Sequence, residues 1–287
     1  MYIEDKNIFI SAVLTMHNEE LYLKQCIESI LNQDHNNFEL IVIDDGSTDK
    51  SCDVVESYND NRIHLYRNNQ DYINSLNLGI SKASGKYIAH VDADDVMYKS
   101  RFSEQIRYME EHGDVDISGA FMKSFGRLNI DYTAATDNNR IISDLLWGIQ
   151  IFHPVMMFRT SSLIFHNMKE QLYNSQYPLC EDYNLLVSAA LKGLTFGNIP
   201  KTLVHYRLSE KQITYTKAEQ VRHYMLQVRG KYYDHIISSL LNKNNNNFKS
   251  TIQSLSDRYI KKEIKKTAYL QGISNLYYQS LLSRKSG

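Results

Sequence analysis

Residues Phe38 to Asp45 read FELIVIDD, an almost continuously apolar run that ends on two aspartates. A strand with one wet face alternates apolar and polar residues, whereas this run suits a strand buried on both faces. The flanking sequence agrees. Upstream, Ile8 to Thr15 is a short β-rich apolar run, and Asn18 is placed to cap a helix carrying Glu19 and Glu20 in its first turn. Leu23, Ile27, Ile30 and Leu31 share one face of that helix. Downstream, Gly46-Ser47-Thr48 turns the chain, and Val54, Val55 and Tyr58 suit a second helix. Ile63 to Tyr66 reads as a third strand, and Ile73, Leu76 and Ile80 as a helix ended near Ser84-Gly85. Tyr87 to Val91 is a fourth strand. Strand alternating with helix predicts a parallel sheet covered on both faces.

Ligands of such sheets bind beyond the carboxyl ends of the strands. Both acidic clusters, Asp44-Asp45 and Asp92 to Asp95, fall there. In Asp92-Ala93-Asp94 the two carboxylates point the same way if the chain stays extended, so both can reach one hard cation. Mg²⁺ typically takes one or two carboxylates plus substrate phosphates, which implies a phosphorylated ligand. The same spacing also suits a solvated acidic turn that caps the next helix.

Other chemistries fail at particular positions. Val96 and Met97 stand where an EF-hand loop needs an Asp or Asn and then Gly. Walker A, G-x-G-x-x-G and H-E-x-x-H patterns are all absent, and the ten histidines show no ligand spacing. Three dispersed cysteines (Cys26, Cys52, Cys180) argue against a disulfide framework or a cysteine-built zinc site. A formal net charge of −1 over 287 residues carries no nucleic-acid footprint. Met1 to Ser11 lacks the pattern of a signal peptide, and no apolar run reaches the roughly 20 residues of a membrane span, so a cytoplasmic protein is expected.

Farther along, Phe102, Ile106 and Met109 suggest a helix and Val115 to Phe121 a strand. Beyond Val204 the chain reads as largely helical, with a loop at Asn242 to Asn247. Asp257 to Lys285 holds seven Lys or Arg, Arg284 and Lys285 included, against Asp257 and Glu263. Ile260, Ile264, Thr267 and Tyr269-Leu270 give that tail an irregular apolar stripe beside Lys261, Lys262, Lys265 and Lys266. Such a stripe suits contact with an anionic membrane or packing on protein.

The order of these features resembles glycosyltransferase family 2. AVLTMHNEE is similar to the opening strand of that family, FELIVIDDGSTD to its second strand and turn, and SLNLGISKASGKYIAHVDADD to the helix and strand leading to its D-x-D motif. FHPVMMFRTS resembles the acceptor-side loop, CEDYNLLVSAALKG the helix bearing the catalytic base, and IPKTLVHYRLSEKQIT the closing Y-R segment. The resemblance spans about residues 8 to 214. It implies an α/β fold of GT-A (Rossmann-like) type, a mixed central sheet flanked by helices, over residues 1–215, with a helical C-terminal extension over 216–287.

The resemblance also implies roles. Thr15, His17 and Glu19 line a nucleoside pocket, Asp45 faces the uracil ring with Asp44 supporting its turn, and Asp92-Ala93 lie against the ribose or the metal. Asp94, with Asp92, holds Mg²⁺ or Mn²⁺, and Asp182 is the general base. Read alone, Glu181-Asp182 is first of all ordinary acidic capping of a helix N-terminus. His17 stands where the family commonly has Tyr, Leu76 where it often has Arg, and Ser209 where a His often follows Y-R; the third protein ligand of the metal is left unassigned. The implied reaction is inverting transfer of a sugar from a UDP-sugar to a hydroxyl of a glycan or lipid-linked glycan acceptor, in bacterial surface polysaccharide assembly at the inner membrane face. A sugar nucleotidyltransferase would share the acids and metal but needs a basic, Gly-rich loop where this chain has MHNEE. A non-catalytic nucleotide- or glycan-binding relative would not need Asp94 and Asp182.

Overall fold

The computed structural model describes residues 7–209, 216–242 and 246–283. The chain begins with three parallel strands and their helices: β1 (Ile10–Met16), α1 (Leu23–Leu31), β2 (Phe38–Asp44), α2 (Ser51–Glu56), β3 (Ile63–Arg67) and α3 (Tyr72–Lys82). β4 (Tyr87–Asp92) then crosses back to pair with the other edge of β1, with Ile10 opposite Tyr87 and Thr15 opposite Asp92. The strand order 3-2-1-4 therefore reverses direction between β1 and β4. This switch point leaves a crevice at the carboxyl ends of the two strands.

The rest of the sheet is mixed. β5 (Val96–Met97), α4 (Arg101–Glu111), β6 (Ile117–Gly126), β7 (Asp131–Tyr132) and α5 (Asn138–Asp144) precede a 3₁₀ turn at His153–Val155. β8 (Met157–Arg159), α6 (Thr160–Phe165), α7 (Glu181–Leu191) and β9 (Phe196–Leu208) follow. β8 runs antiparallel to β4 and β6, whereas β9 is parallel to β6 and antiparallel to β5. The full order is 3-2-1-4-8-6-9-5, with β7 paired to β6. Three helices close the described chain: α8 (Ala218–Asn242), α9 (Asn246–Ile260) and α10 (Lys266–Leu282).

Both faces of the sheet are dry, as FELIVIDD predicts. Leu40 and Val42 join Ala12, Leu14 and α1 in one core, while Ile41 and Ile43 join Val13 and α3 in the other. Period-two alternation thus separates two apolar layers rather than apolar from polar. The second core continues into the C-terminal helices, where Val228, Tyr232, Ile236 and Ile273 pack with Ile141, Leu145 and Tyr183. α3 lies close on β1 because residue 79 is glycine: a Cβ there would sit 2.4 Å from Val13 Cγ1 and 3.3 Å from Ile43 Cγ1. Gly79→Val is expected to destabilise the fold by about 1–3 kcal/mol through overpacking, read as a lower denaturation midpoint at unchanged slope.

Several local expectations need correction. α1 starts at Leu23, and Asn18 is not its cap; Asn18 adopts φ 58° and spends its side chain on the next loop, accepting from Thr48 N at 2.8 Å. Glu19 and Glu20 belong to that loop-stitched turn. The chain stays in strand to Leu208 instead of turning helical after Val204, because alternate residues of β9 still have a core to meet. The Asp257–Lys285 tail is not one amphipathic helix. It breaks between α9 and α10, where Lys262 has φ 61°, and Tyr269 and Leu270 are buried. Arg284 and Lys285, and residues 243–245 of the expected asparagine loop, lie outside the described residues, as do residues 1–6 at the start of the chain and residues 210–215 before the 215/216 boundary.

Candidate active site

β1, β2 and β4 each end in polar residues at the switch point. Asp44 accepts from Ser47 N at 3.0 Å and so ties down the turn after β2, in which Gly46 takes φ 78°. Asp45 is buried, and its Oδ1 receives Asp71 N at 2.8 Å and Ser75 Oγ at 2.7 Å. The His17 Nδ1 lies 3.0 Å from the Asp45 carbonyl, which can only accept, so Nδ1 carries the proton. Beside them the buried Thr15 hydroxyl has no partner among the described residues. Glu19 is pushed up to about 7 by burial and by the charges of Asp94, Asp49 and Asp92.

After Asp92 the chain turns, with Asp95 N donating to Asp92 O at 3.3 Å, rather than continuing extended. The side chains still alternate: Asp92 and Asp94 remain partly open, whereas Ala93 (5% exposed) and Asp95 (1%) face the core. Any contact from Ala93 to a ligand is therefore through its main chain. Asp95 serves the fold. Its Oδ1 accepts Arg207 N at 2.7 Å, and Arg207 Nε donates to Asp94 O at 2.7 Å. The Arg207 guanidinium is itself held between the rings of Tyr22 (4.2 Å) and Phe125 (4.5 Å).

Beneath the turn lies Arg101, fully buried, with Nη2 donating to His90 O at 2.7 Å and Nε to Gln105 Oε1 at 3.0 Å. Burial lowers it to about 10, against the pull of Asp92 and Asp95. A buried cation here offsets part of the charge of three neighbouring carboxyls. It is not enough to neutralise them. Asp94 is raised to about 6 by burial and by Asp92, and Asp95 rises well above the usual carboxyl range for the same reasons.

Asp92 behaves differently. Burial would raise it, yet His90, with Nε2 2.7 Å from Asp92 Oδ1, holds it down at about 2, helped by His153. The His90 and His153 rings lie against each other with centroids 3.6 Å apart at a tilt of 31°, and His153 Nε2 lies 2.9 Å from the Tyr173 hydroxyl. The spacing of the histidines along the chain hides this trio, although His90 and Asp92 do share one face of β4. Tyr173 in turn exchanges main-chain bonds with the Asn77 side chain, at 2.8 Å each.

Asp182 sits in the first turn of α7 next to Glu181, as expected, with Tyr183 N donating to its Oδ1 at 2.6 Å. Burial raises it to about 6; the Tyr183 hydrogen bond opposes and the charge of Asp92 adds to this. The helix N-terminus therefore does not keep it in the ordinary range, but it is still largely ionised at neutral pH. Glu181 rises to about 7 through burial and Asp182, and its Oε2 is buried without a partner among the described residues. Glu181, Asp182 and Tyr173 all feel the charge of Asp92, so the α7 acids lie within electrostatic reach of the acidic turn. Beside α7, a cleft of about 440 Å³ opens between Pro178-Leu179 and the start of α8, where Gln220, His223 and Tyr224 line it.

Two sets of residues could hold a metal. Asp92 and Asp94 offer carboxylate oxygens from one half-open turn, a hard donor set that fits a hard divalent ion. His90, Asp92 and His153 also bring one ligand atom each within 4.8 Å of one another.

Residues 11–167 match the sequence model of Glycosyl transferase family 2, more than half of the chain. The chain belongs to this family. The family 2 chain is 31% identical over 218 residues to an uncharacterised glycosyltransferase of Haemophilus influenzae, covering 71% of this chain and 66% of that protein. It spans only 30% and 33% of two rickettsial relatives. In fold, it superposes on S. aureus TarS 1–349 in complex with UDP-GlcNAc with TM-score 0.63 at 18% identity, over 98% of this chain and 92% of that one. It also resembles the mannosyltransferase PcManGT of Pyrobaculum calidifontis, in complex with GDP-Man and Mn²⁺, with TM-score 0.55 at 12% identity over 92% and 85% of the chains. The family 2 chain thus has the α/β fold with C-terminal helices that its sequence implies. Among the described residues no helix is long and apolar enough to cross a membrane.

Proposed function

We propose that this glycosyltransferase moves a sugar from a UDP-sugar to a hydroxyl of a glycan acceptor, with inversion at the anomeric carbon. The observation that carries this reading is the position of Asp45, Asp92 and Asp94 at the strand ends of the β1–β4 switch point, with Asp182 close enough to feel the charge of Asp92. Asp45, fixed through Oδ1, accepts the uracil imide N–H, and its depth gives the preference for uridine. Thr15, His17 and Glu19 line the nucleoside pocket, and Asp44 keeps its turn. Asp92, oriented by His90, and the Ala93 main chain lie against the ribose and diphosphate.

Asp94 and Asp92 would hold Mg²⁺ or Mn²⁺, which supplies neutralisation of charge on the departing diphosphate. The acceptor enters by the Tyr224 cleft, and the Asp182 carboxylate takes its hydroxyl proton as the oxygen attacks from the face opposite the diphosphate. Binding of UDP-GlcNAc by TarS supports a UDP-linked donor, and binding of GDP-Man and Mn²⁺ by PcManGT keeps a second nucleotide class in the test. We assign the product to surface polysaccharide assembly, on a glycan or lipid-linked glycan at the cytoplasmic face of the membrane. The 1–215 catalytic and 216–287 helical division belongs to the same proposal.

The test is calorimetric titration with a panel of nucleotides and nucleotide sugars, followed by product detection. UDP-linked donors are expected to bind best, and Asp45→Ala to lose the preference for uridine over other nucleosides by about tenfold, the discrimination of one buried hydrogen bond to a charged group. Tighter binding of GDP than of UDP by the parent protein would overturn the donor assignment.

A further inference from the structure

We propose that the groove between α8, α10 and Trp147 is a docking site for anionic membrane lipid, with apolar side chains entering the headgroup boundary and cations meeting lipid phosphates. The groove measures about 410 Å³. Trp147, Val221, Met225 and Leu226 supply its apolar lining, and Arg222, Arg229 and Lys266 its charge. No carboxylate lines it. Three cations with no carboxylate around an apolar floor complement an anionic amphiphile.

Helix geometry explains why the groove stays open. α8 buries Val228, Tyr232, Ile236 and Leu240, spaced by four, against the core. Its first turns carry a second stripe, Ala218, Val221, Met225 and Arg229, spaced by three and four, that lines the groove, with Met225 also packed against the core. Leu226 at its rim is 42% exposed. Arg229 donates to the Trp147 carbonyl at 2.5 Å, yet its Nε is buried with no partner among the described residues.

The surroundings have the same character. The break between α9 and α10 places Lys261, Lys262 and Lys265 beside Lys266, all exposed, next to Ile260 at 75% and Tyr259 at 38% exposure. Aromatic and aliphatic side chains interleaved with Lys and Arg suit the bilayer interface, where rings sit at headgroup level and basic stems reach outward. Over 257–266 five exposed cations (Arg258, Lys261, Lys262, Lys265 and Lys266) outnumber two exposed acids (Asp257 and Glu263), and the groove's own lining holds no carboxylate, a balance that favours an anionic bilayer over a protein partner.

The chain has one tryptophan, and it lines the groove, so its emission reports occupancy directly. The full-length protein is titrated at low salt with phosphatidylglycerol vesicles, phosphatidylcholine vesicles, or inorganic phosphate. A blue shift of Trp147 emission is expected with phosphatidylglycerol alone. Arg222→Gln is expected to weaken vesicle binding about fivefold and Leu226→Glu at least tenfold, with far-UV dichroism and UDP binding unchanged. The proposal is overturned if phosphatidylglycerol leaves the emission unchanged even while the protein sediments with vesicles, if phosphatidylcholine or inorganic phosphate shifts it equally, or if Leu226→Glu binds like the parent. None of these readouts involves sugar transfer.

Discussion

Asp182→Asn is expected to lower turnover by about 10²–10⁴-fold, the usual size of a general-base contribution, while UDP affinity stays close to that of the parent. Asn keeps the shape and the hydrogen bond from Tyr183 N but cannot take a proton. The pH profile is the second readout. Because burial raises the Asp182 carboxyl to about 6, the reactive ionised form grows as pH rises through that value, and kcat/KM should climb with it before levelling near neutrality. A carboxylate in its ordinary range would already be level at pH 5.5. Glu181→Gln should do less harm if Glu181 serves mainly to orient the start of α7. The assignment fails if Asp182→Asn transfers sugar at nearly the parent rate, or if weaker donor binding is its sole defect.

Asp94→Ala is expected to abolish most of the increase in UDP affinity that Mn²⁺ or Mg²⁺ brings, and to cut turnover by roughly 10²–10³-fold, corresponding to several kcal/mol of charge stabilisation. Asp94 is the more open member of the acidic turn, and its main-chain carbonyl is already held by Arg207, so the substitution removes charge without unseating the strand. Calorimetry with and without metal, on parent and variant, separates the two effects. UDP binding to the parent that ignores metal would end the metal role. Asp95→Asn offers the contrast. It disturbs the clamp on Arg207, so it should lower the unfolding midpoint more than it changes metal dependence.

FELIVIDD and YIAHVD made the parallel sheet legible, because a strand buried on both faces has a pattern that no exposed element copies. The acids at strand ends were legible for a related reason: charge next to a dry strand must face the one opening such a sheet has. The partners of those acids were not. His153 reaches Asp92 only because β8 pairs back on β4 and carries the preceding 3₁₀ turn with it. Arg101 lies under the turn because α4 buries a cation along with Phe102 and Ile106, a placement that its one-dimensional surroundings do not signal. Asn18 misled for a similar reason. Its side chain suits a helix cap, but a left-handed backbone at the tip of β1 turned it to the Thr48 loop instead.

The clamp of Arg207 on the acidic turn joins positions 112 residues apart. A chain emerging from the ribosome presents β1 to β4 early, and domains tend to fold from the N-terminus as they appear. The pairing that closes the turn is of the slow, non-local kind and must wait for the last strand. Until then Asp95 lacks the amide that satisfies it, although Arg101 already lies beneath the turn and His90 beside Asp92. Completion of the acidic turn is therefore a late event in biogenesis, and a polypeptide cut short before Leu208 would retain the parallel sheet without the finished turn.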